Sequence, residues 1–506
     1  MTLPATDTLI PLLVLIPFVG AMAVYFLPVR LRDAGGIATA LVVAACVLLT
    51  TIRTFADGAH HHDLGGWEPP LGISLHLDGL GAVFLCMTAC IGVPVSFYAR
   101  SYFRLPEAGT GGNRHFWPLW LFLWGGLNGM YLSADLFNLY VLIEVASLAA
   151  VSLTVLSGKA AARVAGLRYL LAAIAGSMAY LMGVALVYGS VGALDFGTLA
   201  RELEPSRSVN TGFALILVGL LLKTALFPLH FWLPGAHASA QPPVSAILSA
   251  LVIKGTFFLI MRLWVDVFDA SVTYAAGQMM GILGSAAILW GSYQALHQRG
   301  LKKVIAHSTV GQIGYLFLLF PLISVTLENG EAAPWAVHAW TGGIYQALAH
   351  GFAKASMFLV AGIYILAIGN DRLQSMSDLV GRLPMTTFAL ALSGVSLIGL
   401  PPSGGFVAKW MLLKAALSSG QWWWAPVVVA GSFLTAGYVF MILRQAFAPS
   451  EGPRELHRVP RALEITALLL GIGSIVIGLR AEEVLLLLDV GAPFGEVIEV
   501  EEGGAQ

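Results

Sequence analysis

Charge is the scarcest property of this sequence. Of 506 residues only 11% are Asp, Glu, Lys or Arg, while 58% are hydrophobic and mean hydropathy is +0.81. An ordinary soluble domain carries about 25% charged residues. So little charge leaves no solvated surface for a water-soluble fold. Soluble α/β and all-β architectures, disorder and collagen-like repeats are thereby excluded. Cysteine is equally sparse: Cys46, Cys86 and Cys90 all lie in apolar runs, so no disulfide framework is expected. Cys86 and Cys90 share a helix face at i,i+4, but no second pair or nearby histidine accompanies them. Small-residue packing between helices explains them better than a metal site. There is no nucleotide-binding glycine loop, CxxC cluster, haem or zinc spacing, or Ser/His/Asp signature. No cofactor, no metal and no catalytic chemistry are expected in this chain; redox or ATP chemistry would belong to another subunit. The 27 Lys+Arg balance 28 Asp+Glu, which gives no reason to expect a nucleic-acid partner.

Apolar runs of spanning length fill the sequence instead. At roughly 20 residues per crossing the chain holds about fourteen. Their centres lie near Pro17, Ala44, Thr88, Leu123, Val145, Met178, Gly219, Val252, Leu283, Tyr315, Phe358, Leu397, Val428 and Ile472. The first has no basic lead-in and reads as a retained helix. The expected fold is an all-α polytopic membrane protein with residues 1–506 in a single membrane domain. Basic residues cluster after the first span (Arg30, Arg32), the third (Arg100, Arg104, Arg114) and the fifth (Lys159, Arg163, Arg168). They return after the ninth (Arg299, Lys302, Lys303) and the thirteenth (Arg444, Arg454, Arg458, Arg461). Acidic loops alternate with them: Asp57 and Asp63, Asp266 and Asp269, Glu328 and Glu331. Basic loops face the cytoplasm. An even number of spans in the inner (plasma) membrane of a prokaryotic-type cell, with both termini outside, satisfies the alternation.

Two segments interrupt the simple pattern. One runs from Phe227-Pro228 through Leu233-Pro234-Gly235 to Pro242-Pro243; the other is Gly399-Leu400-Pro401-Pro402-Ser403-Gly404-Gly405. Proline removes a backbone donor and blocks the carbonyl behind it. Such a break survives at membrane depth only where protein buries it or a wet cavity lines it. A proline kink accounts for one break. Two in corresponding halves, each with a lysine nearby, point to an ion path.

The few charges that do occur inside spans each need a reason, because a buried ionisable group costs several kcal/mol at the bilayer centre. Glu144 sits mid-span in Leu142-Ile143-Glu144-Val145 and Lys223 in Leu221-Leu222-Lys223-Thr224, just before the first break. Desolvation favours the neutral form of each, and proximity favours the charged pair. Such a pair is a switch that holds or releases a proton. Lys254, His350 and Lys354 (i,i+4 on one face) and Lys409 after the second break extend the series, with His230, His237 and His307 as secondary carriers. His230 is placed two turns beyond Lys223 on the same face. A snorkelling lysine or a carbonyl-bound histidine accounts for any one of them. The whole run through successive spans reads as a relay of proton carriers. His60-His61-His62 before Asp63 read as a solvated outer loop, since three adjacent side chains cannot face one ion.

These motifs resemble the antiporter-like subunits shared by respiratory complex I, membrane-bound hydrogenases and Mrp-type cation/proton antiporters. The likeness spans nearly the whole chain. It rests on the Glu144 span, Lys223 through Pro234, Pro243-Val244-Ser245-Ala246, His350 through Lys354, and Gly399 through Phe406 leading to Lys409. The resemblance implies fourteen helices with two inverted five-helix repeats, here about 115–265 and 272–446, each with one broken helix. It gives Glu144 and Lys223 the acid and lysine of a switching pair, Lys254 the central relay lysine, and His350 and Lys354 the eleventh-span positions. Lys409 takes the terminal lysine. Departures are His307 where tyrosine is usual, Gly300 and Gly235 where aspartate is common, and Gln241-Pro242 for Pro-Thr. The stretch Leu64-Gly65-Gly66-Trp67-Glu68-Pro69-Pro70 is similar to the outer-loop signature of D-type Mrp subunits and their hydrogenase relatives. The expectation is a D-type subunit moving H⁺ in a multisubunit Na⁺(K⁺)/H⁺ antiporter with other membrane subunits. The alternative is a proton-pumping membrane subunit of a hydrogenase or NADH-quinone oxidoreductase complex.

Overall fold

The computed structural model describes residues 6–106, 112–325, 333–449 and 456–495. Glu328, Glu331 and Arg454, counted above among the loop charges, lie outside them, as does the side chain of Arg114. A spanning backbone must satisfy its hydrogen bonds internally, and the apolar runs do so as helices. They are α1 (Thr6–Phe26), α2 (Val29–Asp57), α3 (Gly79–Tyr102), α4 (Gly112–Leu132), α5 (Leu136–Val155) and α6 (Ala160–Val191). Next come α7, in two pieces (Arg207–Thr224 and Leu233–Ser239), α8 (Pro242–Val267), α9 (Tyr274–Leu296), α10 (Leu301–Ile323) and α11 (Ala336–Ile368). Last are α12, also in two pieces (Pro384–Ile398 and Gly404–Ser418), α13 (Trp424–Phe447) and α14 (Arg461–Leu479). Eleven helices among the described residues are long and apolar enough to cross a membrane by themselves. With α4, α9 and the divided α12 the bundle has the fourteen members expected. Side chains cap several of the N-termini: Asp78 accepts from the Gly81 N–H, Asp135 from Asn138 and Ser403 from Phe406.

Burial orders the bundle. The most apolar window of α8 is wholly buried, against a third of the same window in α1, α2 and α13. So α8 is the axis and the others form its wall, with Leu48, Leu171 and Phe440 among the apolar side chains left facing outward. The close helix pairs recur in both halves. In α6 and α7, Gly176 meets the Gly219 backbone and Gly183 meets Gly212; in α9 and α10, Gly284 meets Gly314 and Gly291 meets Gly311. A Cβ at Gly219 would lie 2.4 Å from the Gly176 carbonyl oxygen, and one at Gly314 would lie 2.2 Å from that of Gly284. Only glycine permits these backbones to touch.

The two ends of α8 carry opposite charge. Past its C-terminal end, a hairpin of β1 (His60–Asp63) and β2 (Ser74–Leu77) borders a cavity of about 650 Å³ where Asp63, Glu68, Asp78, Asp195 and Asp266 outnumber Arg201 and Arg262. Beyond its N-terminal end a second cavity, about 660 Å³, is lined by Arg168, Lys303 and His307. Residues 60–63 are thus a strand, not the loop expected. Cross-strand pairing sets His61 opposite His76 while its neighbours alternate to the other face.

Candidate functional site

The first break begins where α7 ends at Thr224 and Ala225 turns left-handed (φ 58°). Lys223, on the last turn before it, donates to Glu144 at 3.4 Å and to the Ser147 hydroxyl at 2.8 Å, both on α5. Ser177 of α6 donates to the same carboxylate. Lys223 is sealed, with its side chain 4% exposed, whereas that of Glu144 is 26% exposed at the rim. The pair expected from the sequence is therefore assembled, with one serine from α5 and one from α6 around it.

From there a polar thread crosses the apolar centre. Thr224 donates to Thr256 of α8 at 2.8 Å. Two residues before Thr256 on α8, Lys254 donates to the Ser249 carbonyl. Ser249 lies in a π-helical turn, Leu248–Val252, which breaks the regular ladder there. The Ser249 hydroxyl meets Thr309 of α10 at 3.0 Å, and the neighbouring Ser308 meets the Lys354 ammonium, which also donates to the Ile305 carbonyl at 3.0 Å. His350, one turn before Lys354, and His237 are fully buried with no protein partner at either ring nitrogen among the described residues. Lys254, Lys354, His237 and His350 lie close enough to feel one another's charge.

Another turn along α11, Gln346 donates to Gln312 of α10 at 2.9 Å, and Gln312 reaches Thr435 (3.2 Å), Tyr438 (3.3 Å) and the Leu397 carbonyl (3.4 Å). That same carbonyl accepts from Lys409 at 2.8 Å. Lys409 donates as well to the Ile398 carbonyl (2.9 Å) and Ser432 (3.1 Å), and its ammonium stands 4.5 Å over the Tyr315 ring. Leu397 and Ile398 close the first piece of α12, whose last carbonyls have no helical partner. Gly399, left-handed at φ 87°, ends it.

Glu144, Lys223, Lys254, Lys354 and Lys409 thus lie in successive hydrogen-bonded groups across the bundle, with His350 buried one turn from Lys354 and bonded to none of them. The secondary histidines divide. His237 belongs to the central cluster. His230 and His307 are only half-buried, towards the basic end of the bundle. His230 does not continue the face of Lys223, because the helix stops at Thr224 and residues 225–232 turn away. Lys302, expected in an exposed basic loop, is buried: its ammonium donates to the Ala240 carbonyl. The carboxylate missing at Gly300 is supplied by Asp371, which accepts from the Lys302 backbone N–H at 3.0 Å. A Cβ at Gly300 would lie 2.8 Å from that carboxylate, so one group replaces the other in space. Burial pushes the Asp371 carboxyl above its usual range. Gln312, Gln346, Ser249 and Thr309 carry no signal in the sequence, since neutral polar residues are ordinary within spans. The one available clue was the clustering of such residues on the inward face of α10 and α11. No group of three or more His, Cys, Asp or Glu among the described residues is placed to hold a metal ion.

A helix bundle with two broken members and a buried series of lysines defines a class: a polytopic membrane protein built around buried charge. Residues 133–435 match the family described as NADH:quinone oxidoreductase/Mrp antiporter, transmembrane, and the chain belongs to that family. It is 34% identical to the NADH-quinone oxidoreductase subunit N of Desulforudis audaxviator over 94% of this chain and 96% of that protein. It is 28% identical to the D-type subunit of the Na(+)/H(+) antiporter of Bacillus subtilis over 95% of each. A chain of the Mrp complex from Dietzia sp. superposes with a TM-score of 0.85 at 26% identity, covering 98% of this chain and 99% of that one.

Proposed function

We propose that this protein is the proton-translocating D-type subunit of a multisubunit Na⁺(K⁺)/H⁺ antiporter. The observation that carries the reading is the line of buried lysines and polar side chains from Glu144 to Lys409 in a chain similar along its full length to Mrp subunits. In this reading a proton reaches the thread from the basic end of the bundle, past His307 and His230. Separation of Lys223 from Glu144 releases it towards Lys254, because a buried lysine without its counter-ion favours the neutral form. His237, His350 and Lys354 pass it on, and Lys409 is the terminal carrier. No bond other than N–H and O–H is made or broken. The repeats are 115–265 and 272–446, a division supported by the matching breaks and matching glycine contacts of the two halves. The basic end faces the cytoplasm of a plasma membrane and both termini lie outside, which the segregation of Arg168 and Lys303 from the acidic end supports.

The likeness to a quinone oxidoreductase subunit N favours one alternative: the same residues would pump protons for a redox-driven complex. Purification from the native membrane in gentle detergent, with the companion chains identified by mass spectrometry, separates the two. Small hydrophobic companions, together with Na⁺- or K⁺-dependent collapse of a proton gradient in vesicles, support the antiporter. A soluble arm with iron–sulfur or flavin subunits overturns it in favour of the pump.

A further inference from the structure

The hairpin beyond the C-terminal end of α8 holds a pair of imidazoles that stands apart from the polar thread. His61 on β1 and His76 on β2 are directly opposite each other, with ring centroids 4.2 Å apart. His61 turns its nitrogen edge to its partner: Nδ1 and Nε2 lie 3.3 and 3.1 Å from the His76 Nδ1. Two nitrogens bound at about 2.0–2.1 Å to one tetrahedral ion stand about 3.3 Å apart. The far nitrogen of His76 is provided for as well. Its Nε2 lies 3.7 Å from the Asp78 carboxylate, a side chain 2% exposed and fixed by Arg262 and the Gly81 N–H. A carboxylate behind one ring nitrogen holds the proton there and leaves the other nitrogen a lone-pair donor. Asp63 shares the face of the two histidines, two residues along β1 from His61 and diagonal to His76. Its carboxylate does not cap the turn that follows. These four side chains line the acidic cavity, where the second Asp195 oxygen is buried without a hydrogen-bond partner among the described residues. A wall of that charge draws cations. An imidazole–imidazole hydrogen bond explains the spacing alone; it calls for neither the buried carboxylate behind one ring nor the second carboxylate on the same face.

We propose that His61 and His76 bind a divalent transition-metal cation of the zinc class, with Asp63 as the third ligand and water as the fourth. The two nitrogens already stand at ligand spacing, and Asp63 reaches the ion by rotation about its own side-chain bonds. Imidazole suits zinc, whereas Mg²⁺ and Ca²⁺ take oxygen ligands. Each imidazole binds as a neutral donor that keeps its N–H on the other ring nitrogen, and Asp63 binds ionised. No proton is displaced, and the carboxylate cancels one unit of the ion's charge. His60 and His62 project to the other face of β1 and take no part. The ion fastens β1 to β2 at the rim of the acidic cavity. The proposal rests on neither transport reading, since it concerns a hairpin outside the bundle core.

The test uses the assembled complex in nanodiscs, stripped with a chelator and titrated with Zn²⁺ by calorimetry and with Co²⁺ by visible absorption. The expected result is a saturable Zn²⁺ site that an excess of Mg²⁺ does not displace, with the intense Co²⁺ bands of tetrahedral coordination. His61→Ala and, independently, His76→Ala should each weaken this site at least about tenfold, the least that losing even an outer-shell partner costs. Asp63→Asn should weaken it by a smaller factor, and His62→Ala, on the other face of the strand, should leave it unchanged. Assembly of every variant is checked by native gel. Affinity unaltered in both His61→Ala and His76→Ala overturns the proposal. So does displacement of Zn²⁺ by Mg²⁺, which would assign binding to the acidic wall alone. Loss of the site in His62→Ala, or the weak bands of octahedral Co²⁺, overturns it as well.

Discussion

Lys223 and Lys409 stand beside the two breaks of the bundle, yet their surroundings differ in kind. Lys223 is met by a carboxylate and a serine hydroxyl on a neighbouring helix. Lys409 is met by the orphan carbonyls of its own broken helix, a serine and an aromatic ring. The first partner is a full charge on a side chain that can rotate away from 3.4 Å. The second is a set of backbone dipoles fixed at a helix C-terminus, equivalent to about half a negative charge and unable to leave. One lysine can therefore be switched by moving its partner. The other keeps backbone partners that do not move, as the proposed end of a relay requires.

The comparison breaks most severely if the switch is removed. Glu144→Gln or Lys223→Met should cut cation-coupled proton movement in vesicles about a hundredfold, corresponding to the roughly 3 kcal/mol of an unpaired buried charge. Subunit assembly by native gel should be intact. Transport that survives either change takes the pair out of the mechanism. Lys409→Gln, which cannot take up a proton, should cost at least about tenfold, the worth of the hydrogen bonds from a charged group alone. Ser432→Asp sharpens the contrast by placing a carboxylate near this ammonium: it should slow proton release, and a rate equal to that of the native protein would show that the neutral surroundings do not matter. Gln312→Leu cuts the link between Gln346 and the Leu397 carbonyl. It should lower transport about threefold, as loss of one neutral hydrogen bond does, without changing the phenotype of either lysine variant.

A smaller effect separates both sites from the acidic end of the bundle. Burial alone would push the Asp78 carboxyl up, but the Arg262 guanidinium and His76 hold it well below the usual carboxylate range. A depressed carboxylate contributes stability that is fully present above its unfolded value of about 4 and is lost as pH falls towards its folded value. The thermal midpoint should therefore decline steeply as pH falls below about 4, and Asp78→Asn should flatten that slope while lowering the midpoint at neutral pH. A slope unchanged in the variant would assign acid sensitivity to another group. His60→Ala should change neither transport nor stability beyond about 0.5 kcal/mol, as for a surface substitution. A large effect would give the hairpin a role.

How much was legible varied with the kind of interaction. The fourteen spans, the two breaks and the principal ionisable residues were visible because each violates a strong rule: charge and proline do not sit in apolar runs without cause. His230 was misplaced because helical periodicity was extended through a stretch where the helix had ended. Lys302 was read as a loop residue because it lies at a helix N-terminus, where sequence cannot tell an inward rotation from an outward one. The stand-in of Asp371 for a side chain at Gly300 joins two positions far apart in the chain at the start of α10, and no local pattern announces it.

The sequence by itself determined that the chain crosses a membrane many times and that a few buried charges interrupt it, since transfer of each residue into lipid is a local and nearly additive matter. Tertiary structure decided which of those charges are paired. The meeting of Ser249 with Thr309, the glutamine bridge from Gln346 to Gln312, and the neutral oxygens that surround Lys409 all depend on how separate helices rotate and approach. Those rotations are set by packing over the whole interface, including glycine contacts such as Gly176 on Gly219. No single residue, read in its own segment, carries that information.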